Sequence, residues 1–434
     1  MPELFNWYLH LKTETLKISL AILHFALIFY CVYSLRKKWA VNSGKLFWGT
    51  FLVRFTAGIS LGLIYTYYYS AGDTWSFFND AKIFSALARD DFFSYLKMIF
   101  SFGENQLINQ DLRSIFFIKI ISVFCLLSLD NYWVCAAYFS LLGFICAWTL
   151  HRKVISIFPD SNNASVLAFL FFPSVVFWSS GLEKESLALS GIYFLTNGFL
   201  TQMSSAKPAK SFWWLVIPVC YTVWVLKYYW VAIFFISIFS ALILRFLISK
   251  SSVIEKNSRA AWIVLFSGVG VLLSFTNLNF YLYRFPEVII SSYSDLASIS
   301  DPKNLIRYFQ FDSTWKSIII NSPWALLSGL FRPMIGEGHG LLGLLASLEN
   351  FFILILFVGA LLNFKKAFLS SYQIILLTVL SYCMVLCVFL ALSTPNFGTL
   401  SRYRVGFLPF FVFVMAYHNP IINWLSIKAG MKHL

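Results

Sequence analysis

Apolar runs about twenty residues long recur from one end of this chain to the other, and nothing else in the sequence constrains its fold so strongly. Each is long enough to cross the hydrocarbon core of a bilayer as an α-helix, and a water-soluble fold has no use for so many. The runs do not alternate apolar and polar residues at period two, as the strands of a membrane β-barrel would. Composition agrees: of 434 residues, 59% are hydrophobic, 20% aromatic and only 12% charged. The expected class is an all-α polytopic membrane protein, with one transmembrane domain over 1–434 and no soluble domain.

About eleven spans are expected, near 16–35, 47–69, 132–150, 163–181, 186–203, 212–226, 229–249, 261–276, 343–363, 371–393 and 405–421. The formal net charge of +14 would suggest nucleic acid as the partner of a soluble protein. Here it is explained by basic cytoplasmic loops, and no nucleic-acid partner is expected. One register puts Arg36–Lys38 with Lys45, Arg152–Lys153, Lys207–Lys210, Arg245–Arg259, Lys365–Lys366 and Lys428–Lys432 on the cytoplasmic side of an inner (plasma) membrane. Nearly all acidic residues then fall outside, Asp160 and Glu255 being the main exceptions. The first run is followed by basic residues and lacks a small-residue cleavage site, so it is expected to remain as an anchor with its start outside. Ser114 to Leu129 is apolar but contains Lys119, and counting it as a crossing breaks the register. It is expected to be an in-plane or re-entrant helix on the outer side. All seven cysteines lie in apolar runs and read as packing residues.

Two long segments face outward in this register, 70–113 and 277–340. The first is amphipathic through Phe77, Phe78, Ile83, Phe84, Phe92, Phe93, Tyr95 and Leu96, which predicts one or two helices on the membrane surface. It carries Asp73 and Asp80, two turns apart on one helix face. A carboxylate at a membrane exit is costly to bury and is usually there for a partner or a reaction. The plain alternative is that Asp73 caps a helix beginning at Thr74 and Asp80 faces solvent.

Positions 179–186 read Ser-Ser-Gly-Leu-Glu-Lys-Glu-Ser, and three charges in a row exceed what a short turn needs. Lys184 suits a phosphate, and Glu183 or Glu185 could take a proton or a divalent metal ion. Lys227 lies among aromatics on the side that the charge rule disfavours, either as a snorkelling anchor or as a phosphate contact. Arg332, Glu337 and His339 precede the next span. The planar fork of Arg332 suits an anionic head group, and His339 is either a satisfied interface histidine or a ligand. Glu349, further into that span, is expected to be a polar partner inside the bundle. Arg402 and Arg404 in Leu-Ser-Arg-Tyr-Arg-Val suit an acidic ligand or an anionic lipid head group. Carboxylates and cations together suit transfer from a phosphate ester to a hydroxyl: a carboxylate deprotonates the acceptor and cations hold the departing phosphate.

Gly72-Asp73 through Asp80, Phe172-Pro173 through Glu185, and Arg402-Tyr403-Arg404 with Leu408-Pro409 together resemble the GT-C glycosyltransferases. These are multispan enzymes using polyprenyl-phosphate-linked sugars, the protein mannosyltransferases among them. The resemblance implies a GT-C-like fold with surface helices in the first outer loop and a polyprenyl-phosphate-linked sugar donor. It implies a glycan, lipid or protein acceptor at the extracytoplasmic face. It also implies a catalytic role for Asp73, with Asp80 second. Glu183, Lys184, Glu185, Lys227, Arg332, Glu337, His339, Arg402 and Arg404 are then the expected substrate-binding residues. The first outer loop has no Asp-x-Asp or Asp-Glu doublet before Asp90-Asp91, and a divalent metal ion is left open. Two other functions compete: a surface-polysaccharide polymerase or ligase using diphosphate-linked glycans, and a non-enzymatic lipid or glycan transporter. A transporter needs polar groups in mid-membrane, and the spans offer few beyond Arg54, Lys119 and Glu349.

Overall fold

A computed structural model of the chain describes residues 2–69, 72–101, 103, 107–204, 210–362 and 372–428. Lys207, Lys365, Lys366 and Lys432, which contribute to the charge register, lie outside the described residues. Those residues form helices joined by turns, with no strand beyond an isolated bridge between Leu305 and Asn396. The main helices are α1 (Pro2–Trp39), α2 (Gly44–Tyr67), α3 (Asp73–Asp90), α4 (Phe92–Phe100), α5 (Leu112–Ser128), α6 (Tyr132–Ile157), α7 (Lys184–Met203), α8 (Lys210–Ile248) and α9 (Ser258–Ser274). They continue with α10 (Phe285–Ser298), α11 (Trp315–Phe331), α12 (Gly340–Leu362), α13 (Gln373–Ser393), α14 (Phe397–Tyr403) and α15 (Leu408–Ala416). Six of the described helices are long and apolar enough to cross a membrane: α1 from Glu14, α2, α6, α8, α12 and α13. The chain divides into two compact units, Met1–Trp148 with Val176–Gly191, and Thr149–Val175 with Ile192–Leu434.

In the first unit α2 lies antiparallel to both α1 and α6. Phe25 and Phe29 of α1 meet Phe55 and Phe51. On α6, Phe144 and Trp148 pack on Phe47. Small residues one turn apart, Gly58 and Gly62, let α6 come close. A Cβ at Gly58 would stand 2.3 Å from Ser140 Oγ, and one at Gly62 would stand 2.6 Å from the Tyr132 ring. The turn after Ser179 uses the same opening. Gly181 has φ +77°, where only glycine sits without strain, and its own Cβ would stand 3.2 Å from the Gly58 carbonyl oxygen. The charged turn therefore packs against the middle of α2 and α6 rather than beyond their ends.

The surface helices expected in the first loop are α3 and α4. α3 starts at Asp73 with Gly72 at its N-cap and no side-chain cap bond, so Asp73 is its first residue and not its cap. It packs along α5, with Phe77 against Phe117. α5 is capped by Asp111, which accepts from the Arg113 and Ser114 amides. Its buried Lys119 donates to the carbonyl and hydroxyl oxygens of Ser101, just past the end of α4. That bond to a helix C-terminus is how an apolar helix keeps a lysine.

In the second unit three breaks matter. The span expected at 163–181 is interrupted: Asn162–Ser165 opens into a π turn at Val166–Phe171, Phe172 is extended, and a new helix starts at Pro173. A proline forces the residue before it out of the helical region, so the break is written in Phe172-Pro173.

The two spans expected at 212–226 and 229–249 are the arms of α8, whose one non-helical residue is Lys227 (φ −146°, ψ 64°). Phe212 stacks on Phe194, while Arg245 donates to the Gln202 carbonyl, so both ends of α8 touch the last turns of α7. A straight helix would hold Phe212 and Arg245 about 50 Å apart. The chain therefore folds back at Lys227.

The third break lies inside 277–340. α11 runs along α13, with Gly329 against Cys387 and Ala391, and ends at Phe331 beside Phe357 of α12. The chain then returns along α12: the Pro333 carbonyl accepts from Asn350, and Gly338 lies against Gly343. Phe331, Pro333 and Gly338 thus match Phe357, Asn350 and Gly343 in antiparallel order. α11 is followed by an irregular return segment, with a turn at 335–337, that runs back along α12.

Candidate functional site

The first unit collects carboxylates around Lys184. At the start of α7, Lys184 Nζ donates to Ser114 Oγ (2.7 Å), lies 3.8 Å from Asp111 Oδ2 and sits 4.7 Å from the centre of the Phe77 ring. Burial pushes the Asp111 carboxyl upward, but the Ser114 hydroxyl, the Lys184 ammonium and two backbone amides together hold it below its ordinary value. The neighbouring Gln110 donates to Asp80 Oδ2 (2.8 Å) and reaches Ser76 Oγ (3.4 Å). Lys184, Ser114, Asp111, Gln110 and Asp80 thus form one polar line across α3, α5 and α7.

Asp73 is exposed in the first turn of α3, where the helix dipole favours a negative charge. Beside it, Thr74 bonds the Tyr132 hydroxyl, and Trp75 stacks on the Tyr132 ring at 3.9 Å. Glu183 and Glu185 are fully buried. So is Arg54, which donates to Ser179 Oγ (2.9 Å) from the middle of α2. Arg54 and Asp111 are polar members that the sequence reading did not assign to the site. Asp-Leu-Arg-Ser at 111–114, an N-cap pattern before an apolar run, was the signal for Asp111.

The second unit collects cations around α14. Asn396 caps this helix by accepting from the Thr399 amide. Lys227, at the fold-back of α8, lies 3.8 Å from the centre of the Tyr403 ring. Arg332, just past the end of α11, lies 4.9 Å from the centre of the Phe397 ring and is bridged to Glu337 at 2.8 Å. Burial works against the Glu337 charge, yet Arg332 and the Met334 amide hold the carboxyl below its ordinary value. Arg402 is half-buried on the same helix. Arg404, just after it, is 1% exposed and donates to Asn350 Oδ1 and to Glu349 Oε1 (3.1 Å).

Glu349 is the buried polar partner that its position suggested. It also accepts from Ser174, through the amide (2.8 Å) and the hydroxyl (2.6 Å). The π turn and Pro173 free that amide by starting a new helix there. Asn350 joins the two halves of the cluster, holding Arg404 on one side and the Pro333 carbonyl on the other. Lys227, Arg332, Arg402 and Arg404 are thereby gathered on or beside one seven-residue helix. His339 is exposed at the far end of the return segment.

Chemically, the first unit offers an exposed carboxylate able to accept a proton. The second offers guanidinium and ammonium groups set on aromatic faces, which suit a phosphate. Among the described residues no group of three or more His, Cys, Asp or Glu side chains is placed to hold a metal ion. No protein-family model, curated protein or solved structure matches this chain.

Proposed function

We propose that this chain is a GT-C-like glycosyltransferase of the inner (plasma) membrane. It moves a sugar from a polyprenyl-phosphate-linked donor to a glycan, lipid or protein acceptor at the extracytoplasmic face. The observation that carries the reading is the gathering of Lys227, Arg332, Arg402 and Arg404 around α14. Arg402 on this helix, with Lys227 and Arg332 against its aromatic side chains, suits the charge that builds on a departing lipid phosphate. The fold-back at Lys227 supports counting the two arms of α8 as separate crossings, and so supports about eleven in all.

The resemblance assigns removal of the acceptor hydroxyl's proton to Asp73, with Asp80 second, and this assignment is proposed separately from the phosphate contacts of the second unit. The hydroxyl oxygen forms a bond to the anomeric carbon as the bond from that carbon to the phosphate oxygen breaks. The phosphate leaves with the electron pair, and Lys227, Arg332 and Arg402 hold it. Arg404 is committed to Glu349 and Asn350 and acts by positioning α14. The test is turnover in proteoliposomes containing a polyprenyl-phosphate hexose, read as release of polyprenyl phosphate. Asp73→Asn is expected to lower kcat by about 10²–10⁴ with little change in donor KM. Arg402→Ala, losing a charge-assisted contact of about 1.5–3 kcal/mol, is expected to raise donor KM by roughly 10–100-fold. Full turnover by Asp73→Asn refutes the assignment, and lipid movement across sealed vesicles with no chemical change replaces the enzyme by a transporter.

A further inference from the structure

Next to Arg332 in the chain, a cavity of about 150 Å³ opens between α11, α12, α13 and α15. Thirteen residues line it, Leu330, Phe331, Phe357, Ala360, Met384 and Phe411 among them, and Tyr417 alone carries a polar oxygen or nitrogen on its side chain. Such a lining gives a water molecule too few partners, whereas an apolar hole of this size accepts a group as large as benzene. That is about the bulk of one isoprene unit. The cavity also lies next to the cation cluster along the chain: Phe331 lines it and the next residue is Arg332, and Phe411 follows Arg404 by seven residues.

We propose that this cavity seats one isoprene-sized segment of the hydrocarbon tail of a lipid phosphate whose head group is held at α14. The site favours a branched unit over a straight chain, because its apolar lining leaves room for only one such unit. Identifying that lipid phosphate as the sugar donor rests on the glycosyl-transfer reading. The occupancy of the cavity does not.

The experiment uses the full chain in detergent micelles and two photoreactive probes. One is geranylgeranyl phosphate with a diazirine on an inner isoprene unit, and the other is the uncharged alcohol carrying the same group. Peptide mapping is expected to place the phosphate probe on Phe331, Met384 or Phe411. Ala360→Phe, which fills the cavity, is expected to abolish that labelling while the melting temperature holds. If Ala360→Phe fails to fold, Met384→Phe serves the same purpose. The alcohol is expected to label lipid-facing positions such as Leu341 and Leu344, which are exposed.

Identical scattered labelling by both probes overturns the proposal. So does cavity labelling that survives a folded, filled variant. Labelling reads binding alone, so a labelled cavity in a protein that transfers no sugar keeps the tail site and removes the donor's identity. Sugar transfer without cavity labelling removes the tail site and keeps the transferase.

Discussion

Replacing Glu349 by leucine leaves the Arg404 guanidinium buried against the Asn350 carbonyl oxygen, since Arg404 is 1% exposed and Glu349 is its carboxylate contact among the described residues. Breaking a buried pair by removing one partner costs about 3–5 kcal/mol, because the remaining charge has lost its compensation. At roughly 2–3 °C per kcal/mol for a unit of this size, the melting temperature falls by about 6–15 °C. Removing both charges in Glu349→Leu/Arg404→Met is far milder, since a buried ion pair replaced by apolar groups is often neutral. What persists is the unsatisfied Ser174 amide and hydroxyl and the Asn350 carbonyl, at about 1–3 kcal/mol each if they stay dry. The double variant is therefore expected to regain at least part of what Glu349→Leu loses, giving a favourable coupling between the two side chains. Glu349→Gln keeps the hydrogen bonds from Ser174 and separates charge from geometry. Thermal unfolding in one detergent measures all five proteins: the parent, Glu349→Leu, Arg404→Met, the double variant and Glu349→Gln. A Glu349→Leu variant within about 2 °C of the parent, or a double variant worse than both singles, refutes the reasoning.

Two other outcomes follow from local geometry. Gly181→Ala forces a side chain into φ +77° and against Gly58, and Gly58→Ala drives a methyl to 2.3 Å from Ser140 Oγ. Each is expected to destabilise the first unit by about 1–3 kcal/mol, read as a lower melting temperature, and parental stability of both refutes the close approach. The Glu337 carboxyl is held below its ordinary value in the fold, so its bridge to Arg332 stabilises above the unfolded value near pH 4.3 and is lost as pH falls through the lower folded value. Hydrogen exchange of the Met334 amide is expected to accelerate over that acidic window in the parent, and an unchanged window in Glu337→Gln would count against this assignment.

Helical class and the presence of two helices in the first loop were legible because they rest on composition and spacing, which act locally. The two arms of α8 were legible for the same reason, since a lone lysine among aromatics interrupts an otherwise apolar run. α11 was not read as a helix entering the bundle. Lys316, Asn321, Ser322 and Pro323 interrupt its apolar pattern; Ser322 bonds the Ile318 carbonyl of its own helix, and Asn321 pairs with the Phe309 backbone twelve residues earlier. The depth of the charged turn at 179–186 was hidden too. It depends on Gly58 meeting Gly181 across more than a hundred residues, a coincidence that no window along the chain contains. Within the cation cluster, Arg332 and Arg404 were singled out by their side of the membrane, but Asn350 and Ser174, which link and orient them, carry no charge and gave no such signal.

The hairpin at Lys227 has a consequence for how this protein is made. Emerging from the ribosome, residues 210–248 present one unbroken greasy stretch, and an insertion apparatus that threaded it once would leave every later segment inverted. Because the two limbs return to the same end of α7, their insertion is a paired event with zero net translocation. A reporter fused after Ser204 and another fused after Ser249 should then share one aqueous compartment. On the eleven-span reading, the fold-back at Lys227 is where the chain turns to return to the side it entered from.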